Sequence, residues 1–380
     1  MDWNSLRSEF PVTQHWAYFD HAAVAPLSGR AQKALGDWAA DLAANGDAFW
    51  GQWMKRSEEV RKQFGLLLNA DPLDIAFIKN TSEGISFVAE GFPWHSGDNM
   101  VTAADEYPSN IYPWMNVASR GVEARRVASH SGRILVDDII QAIDDRTRLV
   151  SLSSVEFASG FRNDLSAVGE YCRGREIFFF VDAIQSLGVL PLDVSQLPID
   201  GLAADGHKWL LGPEGGGIFY LRRDWVDRLH TIEVGWNSVM GHNDFDTIDF
   251  RLKPHAGRWE SGSLNMAGIH ALGASLELLL LLGIPNLENR VLELTDYLCE
   301  QAQRSGLMVY SSRRTGEKSG IVSLQKPNNE PSLLVRRCKN EGIVINQRAG
   351  RIRVSPHCYN TLEEIDRLID CLARQETAGG

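Results

Sequence analysis

Lys208 follows Gly206-His207 and is trailed by the apolar Trp209-Leu210-Leu211. An amine set in buried sequence loses its hydration, which lowers its pKa and makes it a nucleophile toward a carbonyl. Upstream, the apolar run Ile177-Phe178-Phe179-Phe180-Val181 ends in Asp182-Ala183-Ile184-Gln185. Such a run reads as a buried strand, and the carboxyl ends of strands are where α/β sheets bind ligands. A carboxylate, an amide and an amine therefore converge on one rim. That set suits a substituted pyridine: an acid for its nitrogen, a donor for a phenolic oxygen and an amine for an aldehyde. An isolated aspartate at that place also reads as an N-cap for the next helix. Gln185 nearby and the downstream Gly-His-Lys favour the site.

Four further segments carry matching chemistry. Asn80-Thr81-Ser82-Glu83-Gly84 follows the strand-like Ile75-Ala76-Phe77-Ile78, and backbone N–H groups with the Thr81 and Ser82 hydroxyls can cradle a phosphate there. Glu106-Tyr107-Pro108-Ser109-Asn110 offers an aromatic ring for stacking, or else a surface turn. Arg258-Trp259-Glu260-Ser261-Gly262-Ser263 combines charge, an aromatic ring and hydroxyls. Arg351-Ile352-Arg353-Val354-Ser355 sets two arginines on one strand face. A guanidinium there suits a substrate carboxylate as a bidentate fork, or decorates an exposed edge strand. The glycine-rich Gly212-Pro213-Glu214-Gly215-Gly216-Gly217 matches neither nucleotide-loop spacing and reads as backbone passing close to the pocket.

Together these segments resemble the class V aminotransferase family of pyridoxal-phosphate (PLP) enzymes, which includes cysteine desulfurases, kynureninase and isopenicillin N epimerase. Tyr18-Phe19-Asp20-His21-Ala22-Ala23 resembles the family's opening segment, so the likeness runs through essentially the whole chain. It implies fold type I: a large α/β domain with a mostly parallel sheet wrapped by helices, plus a small α+β C-terminal domain. It implies that Lys208 holds the cofactor and that Asp182 pairs with the pyridine nitrogen, making the ring an electron sink. Gln185 serves the phenolic oxygen, Tyr107 covers the ring, and Thr81, Ser82 and His207 bind the phosphate. Ser263 reaches the phosphate of a neighbouring subunit, so the expected assembly is a homodimer with shared sites. Arg353 takes the substrate carboxylate.

The chain also departs from the pattern. Asp205 replaces the serine common before Gly-His-Lys, and it is expected to turn away from the phosphate. Glu156-Phe157 stands where desulfurases present an asparagine, leaving Gln185 alone at the phenolic oxygen. The desulfurase cysteine lies on a loop shortly before the carboxylate-binding arginine, whereas Ile345 to Gly350 is short and holds no cysteine. Sulfur transfer through an enzyme persulfide is therefore not expected. The reading puts aminotransferase first, a C–S or C–C lyase or an epimerase second. A catalytically silent PLP-fold regulator is the rival of another class, disfavoured by the intact Lys208, Asp182 and Gln185 set.

The elements that must position these residues follow from periodicity. Short apolar runs at 75–78, 99–102, 149–152, 177–181 and 217–221 read as strands, with helices at 81–92, 109–120 and 135–143 between them. Ser28 caps a helix running to about Asn45, and a second helix spans about 54–68. Residues 231–254 read as a long functional loop. Helices at 267–282, 287–305 and 361–374 frame strand-like runs at 320–324, 342–345 and 351–355. The large domain is set at 20–282, and the small domain at 1–19 with 283–380.

Bulk properties exclude some classes. A formal charge of −11 lacks the basic surface that nucleic acid requires. Five scattered cysteines without a CxxC pair read as reduced thiols of a cytoplasmic protein, with no metal site. The N-terminus has no signal-peptide pattern, and no apolar run is long enough for a membrane span.

Overall fold

The computed structural model describes residues 2–374. Its centre is a sheet of seven strands: β1 (Ile75–Ile78), β2 (Asn99–Ala103), β3 (Glu123–Val127), β4 (Thr147–Ser153), β5 (Phe178–Asp182), β6 (Gly201–Asp205) and β7 (Gly217–Leu221). Their order is β1-β7-β6-β5-β4-β2-β3. Only β7 runs antiparallel, to both of its neighbours. The remaining pairs are parallel. Parallel strands are covered on both faces, which explains the solid apolar runs of β4 and β5.

Two strands of this sheet are not apparent from the sequence. β3 is a partly exposed edge strand whose Glu-Ala-Arg-Arg-Val has no apolar alternation. β6 is wholly buried, yet Gly-Leu-Ala-Ala-Asp has weak strand propensity. Its small residues answer to packing: a Cβ on Gly201 would lie 3.1 Å from the Phe178 ring and 3.2 Å from Phe180. The bulky residues of β5 force its neighbour to be small.

The helices form largely where expected. Ser28 accepts the N–H of Ala31 and opens α1 (Gly29–Asn45). α2 (Trp50–Leu68) begins four residues early and ends at Asn69 in the left-handed region, φ 52°. α3 (Thr81–Gly91) follows β1 directly, capped by the Asn80 side chain. The stretch at 109–120 is broken instead. A short helix, Tyr112–Asn116, sits between single turns at Pro108–Asn110 and Val117–Arg120. Pro108 and Pro113 prevent a continuous ladder of hydrogen bonds. α4 (Leu165–Gly174), unread in the sequence, connects β4 to β5.

α5 (Met266–Leu282) is apolar on nearly every side because it lies buried against α1 and α2. A Cβ on Gly273 would meet Val60 at 2.3 Å, so the crossing with α2 requires glycine. Residues 231–254 form the expected long loop, with one turn at Trp236–Ser238.

The C-terminal unit has its own core and a four-stranded antiparallel sheet of Met308–Val309, Val322–Gln325, Asn346–Arg348 and Arg351–Val354. Near the N-terminus, Ala17–Tyr18 pairs in parallel with Ile343–Val344, and Asp20 bridges to Ser355. On this pairing we propose the division into 20–282 and 1–19 with 283–380. Among the described residues no single helix is long and apolar enough to cross a membrane.

One buried ion pair ties three parts of the large unit together. Arg61 of α2 donates to Glu260 at 2.6 and 3.1 Å and to the Ile75 carbonyl at 2.6 Å. Glu260 also accepts the Phe77 N–H at 2.8 Å, fixing the 258–263 segment on β1. Removing one member leaves a buried charge unpaired, so Arg61→Ala should destabilise by about 3–5 kcal/mol. Urea unfolding measures this, and an unchanged midpoint would contradict the assignment.

Candidate active site

Asp182 is the last residue of β5, 2% exposed, and accepts the Ile184 N–H at 3.0 Å. Burial raises its pKa to about 6, against the lowering influence of the Lys208 charge. Lys208 arrives from the adjacent strand: β6 ends at Asp205, and Gly206-His207 turns the chain back over the rim. Lys208 is 8% exposed. Burial pushes its amine down to about 8, chiefly opposed by Asp182. Each group is thus displaced toward its neutral form by lost hydration.

Backbone bonds hold this turn. Gly206 N–H donates to the Gly216 carbonyl, Gly212 N–H to the Gly206 carbonyl and Leu211 N–H to the Lys208 carbonyl. Leu211 has φ 57°, an uncommon conformation for a branched residue and the kind of strain that gathers at functional sites. The glycine-rich run therefore packs directly against the lysine turn.

Asp205 does not face the pocket as a bare charge. One carboxylate oxygen accepts the Gly206 N–H at 2.7 Å, and the other lies 2.8 Å from His207 Nδ1. Its own N–H donates to Thr81 Oγ1 at 3.0 Å, joining the lysine turn to the first residue of α3. Ser82 Oγ donates to Ser109 Oγ at 2.8 Å.

Gln185 is held at both ends of its amide. Nε2 donates to the Ala22 carbonyl at 3.1 Å, and Oε1 accepts from Trp209 Nε1 at 3.0 Å. One Nε2 hydrogen stays available. Phe157 lines the pocket while Glu156 does not. Glu156 is buried and accepts from Asn163 Nδ2 at 2.7 Å. The Tyr107 ring lies 5.5 Å from Lys208 Nζ and edge-on to Phe157 at 5.2 Å.

Arg353 enters from the small sheet and is 2% exposed. Nη2 donates to Asp20 at 3.1 Å and Nη1 to the Phe157 carbonyl at 3.1 Å, while Nε is buried without a partner. A guanidinium that lines the cavity and keeps unused donor hydrogens is suited to a carboxylate.

One pocket of about 360 Å³ gathers Thr81, Ser82, Tyr107, Asp182, Gln185, His207, Lys208 and Arg353. Ser263 lies outside it, in a separate cleft of about 150 Å³ with Lys79, Glu83 and Gly215. The pocket also contains Arg348, which the sequence reading passed over. Its signal was the spacing of two from Asn346, in a strand that folds back onto Arg351 and Arg353.

The Aminotransferase class-V family matches residues 17–368. The chain belongs to this family. Its architecture is that of the fold type I PLP enzymes, and PLP is the cofactor. The residues present fit that group: a buried amine, a buried carboxyl and a helix start with hydroxyls surround one cavity.

A probable cysteine desulfurase of Methanothermobacter thermautotrophicus is 28% identical, with 98% of each chain covered. The apo cysteine desulfurase of Thermococcus onnurineus superposes with a TM-score of 0.89 at 24% identity, covering 97% of this chain and 96% of that one. The cystine C–S lyase C-DES, in complex with its product cysteine persulfide, gives 0.90 at 24% identity, covering 96% and 99%. The chain is a PLP-dependent enzyme acting on an amino-acid-like substrate.

The depressed Lys208 pKa is directly measurable. In apoprotein, acylation of Lys208 followed by mass spectrometry should rise with pH around a midpoint near 8. Ordinary lysine would titrate near ~10.4. Because the Asp182 charge favours the ammonium form, Asp182→Asn should move the midpoint lower still. A midpoint at the ordinary lysine value would contradict the buried geometry.

Proposed function

We propose that this enzyme is a carbon–sulfur lyase that removes the sulfur substituent from Cβ of a cysteine-derived amino acid, without an enzyme thiol. The carrying observation is the state of the cysteines. All five are buried, and none lines the pocket. Burial pushes Cys172 and Cys358 up to about 12 and Cys299 to about 11, and it raises Cys338 and Cys371 as well. A thiol in that state is neither a ready nucleophile nor within reach of substrate sulfur. Relatives named as cysteine desulfurases and as a cystine C–S lyase support sulfur amino acids as substrates. They favour lyase chemistry over the transamination that the sequence reading ranks first.

Each residue then has a stated task. Lys208 Nζ would hold the aldehyde end of PLP and, once free, would be the base for the Cα proton. Asp182 would accept the pyridinium hydrogen bond, and Tyr107 would cover the ring. Thr81, Ser82, His207 and the N-terminus of α3 hold the phosphate. The spare Nε2 hydrogen of Gln185 would be available to the phenolic oxygen. Arg353 would offer its guanidinium to the substrate carboxylate, oriented by Asp20 and the Phe157 carbonyl. Bound PLP supplies the electron sink that stabilises negative charge at Cα. The Cβ–S bond would break as the electron pair at Cα forms the Cα=Cβ double bond, the sulfur leaving with the bonding pair and taking up a proton to depart as a thiol. With one water consumed, the remaining products are pyruvate and ammonium.

The homodimer belongs to the same reading. Ser263 is outside its own chain's pocket, and the exposed Phe245, Ile248 and Phe250 lie in the loop leading to its segment. A second subunit covering that loop would let Ser263 serve the neighbour's phosphate.

Incubation with an S-substituted cysteine, without any keto acid, should release thiol and pyruvate in equal amounts. Single Cys→Ala variants at all five positions should each keep the activity within a few-fold, roughly under 1 kcal/mol in the barrier. Amino transfer that depends on added keto acid, with no thiol released, would overturn the lyase. So would loss of sulfur release in one cysteine variant that still binds PLP.

A further inference from the structure

The pocket contains two guanidinium groups, and only one has a carboxylate. Arg353 is paired with Asp20, as described above. Arg348 donates from Nη1 to Asn346 Oδ1 at 2.9 Å and to the Gln347 carbonyl at 2.7 Å. Among the described residues it makes no ion pair, even with Glu214, which lines the same pocket. Its charge still acts on the site, opposing protonation of both Lys208 and Arg353.

The hairpin that carries Arg348 has a defined register. Asn346–Arg348 and Arg351–Val354 are antiparallel, with Arg348 opposite Arg351 and Asn346 opposite Arg353. Only Ala349 and Gly350 separate them, at φ 47° and 70°. A two-residue turn with both φ values positive matches strand twist and fixes the register. Residues directly opposite in an antiparallel pair share a face, so the three arginines project to one side. Arg351 is occupied elsewhere, with Nε donating to Ser323 Oγ at 3.2 Å and its guanidinium 3.7 Å from the Tyr310 ring centroid. Arg348 is the one left to the pocket without a direct ion pair, although its charge also bears on the Asp20 carboxylate that Arg353 holds.

We propose that Arg348 binds a second anionic group at the far end of the substrate side chain. The preferred substrates are then amino acids with an acid group at each end, one read by Arg353 and the other by Arg348. This rests on the lyase reading only for the sulfur between the two ends. A guanidinium anchored through Nη1 to two oxygens selects by charge and distance, because reaching it requires a side chain of suitable length. It also gives the short 345–350 segment a purpose. That segment places a cation, in place of a thiol, where the leaving group departs.

The test uses holoenzyme and two probes of similar length, S-carboxymethyl-L-cysteine and the uncharged S-ethyl-L-cysteine. Affinity is read from the change in cofactor absorbance, and thiol release is followed separately. Wild type should bind the acidic probe about ten-fold or more tightly, the worth of one charge-assisted hydrogen bond. Arg348→Gln should bring the two probes to near parity, Arg348→Lys should restore part of the preference, and Arg353→Gln should weaken both alike. Parity in wild type, or a preference intact in Arg348→Gln, would overturn the assignment. A preference without thiol release would sustain Arg348 and refute the lyase reading instead.

Discussion

Taking an amine and a carboxyl group out of water costs several kcal/mol apiece unless something compensates. Lys208 and Asp182 sit in one cavity at the ends of adjacent strands, where that cost moves both toward neutrality. The same lost hydration makes the amine a nucleophile and leaves the carboxyl seeking a partner. Neither effect would survive in an open cleft. The surrounding architecture therefore has one requirement above others, to keep water from the rim between β5 and β6 while leaving room for a ligand.

Several distant segments meet that requirement together. The aromatic residues of β5 fill the sheet and oblige β6 to be small, bringing the two strands' ends into register. Thr81 at the start of α3 bonds to Asp205, so the helix terminus and the lysine turn form one unit. Asp20 from the N-terminal segment and Phe157 from the loop after β4 both hold Arg353, which belongs to the small sheet. The large and small units thus share the pocket. Movement between them would alter the Arg353 end more than the Lys208 end, separating substrate recognition from cofactor retention.

What the sequence disclosed follows from how much each residue depends on its local surroundings. The β5 run, the following Asp182 and the Gly-His-Lys turn are contiguous and strongly patterned, so the centre of the site and the class of fold were legible. β6 was not, because its small residues answer to Phe178 and Phe180 rather than to any propensity of their own. The helix at 109–120 failed where two prolines interrupt an otherwise helical pattern. Gln185 was found by position, but its bonds to Ala22 and Trp209 depend on distant chain and were invisible. Arg348 was missed for a related reason: its place depends on a hairpin turn made by Ala349, which rarely adopts positive φ.

We propose that Lys208, by virtue of its burial beside Asp182, is the residue that holds PLP. A second lysine, Lys253, is equally buried, with its own amine pKa lowered by burial, but it lies in another cavity and donates to Asn237. Borohydride reduction of holoenzyme followed by peptide mapping separates the two. The pyridoxyl mass should appear on the peptide containing Lys208 and be absent from that position in Lys208→Ala. Label on the Lys253 peptide in wild type, or a Lys208→Ala protein that retains reducible cofactor and full turnover, would contradict it.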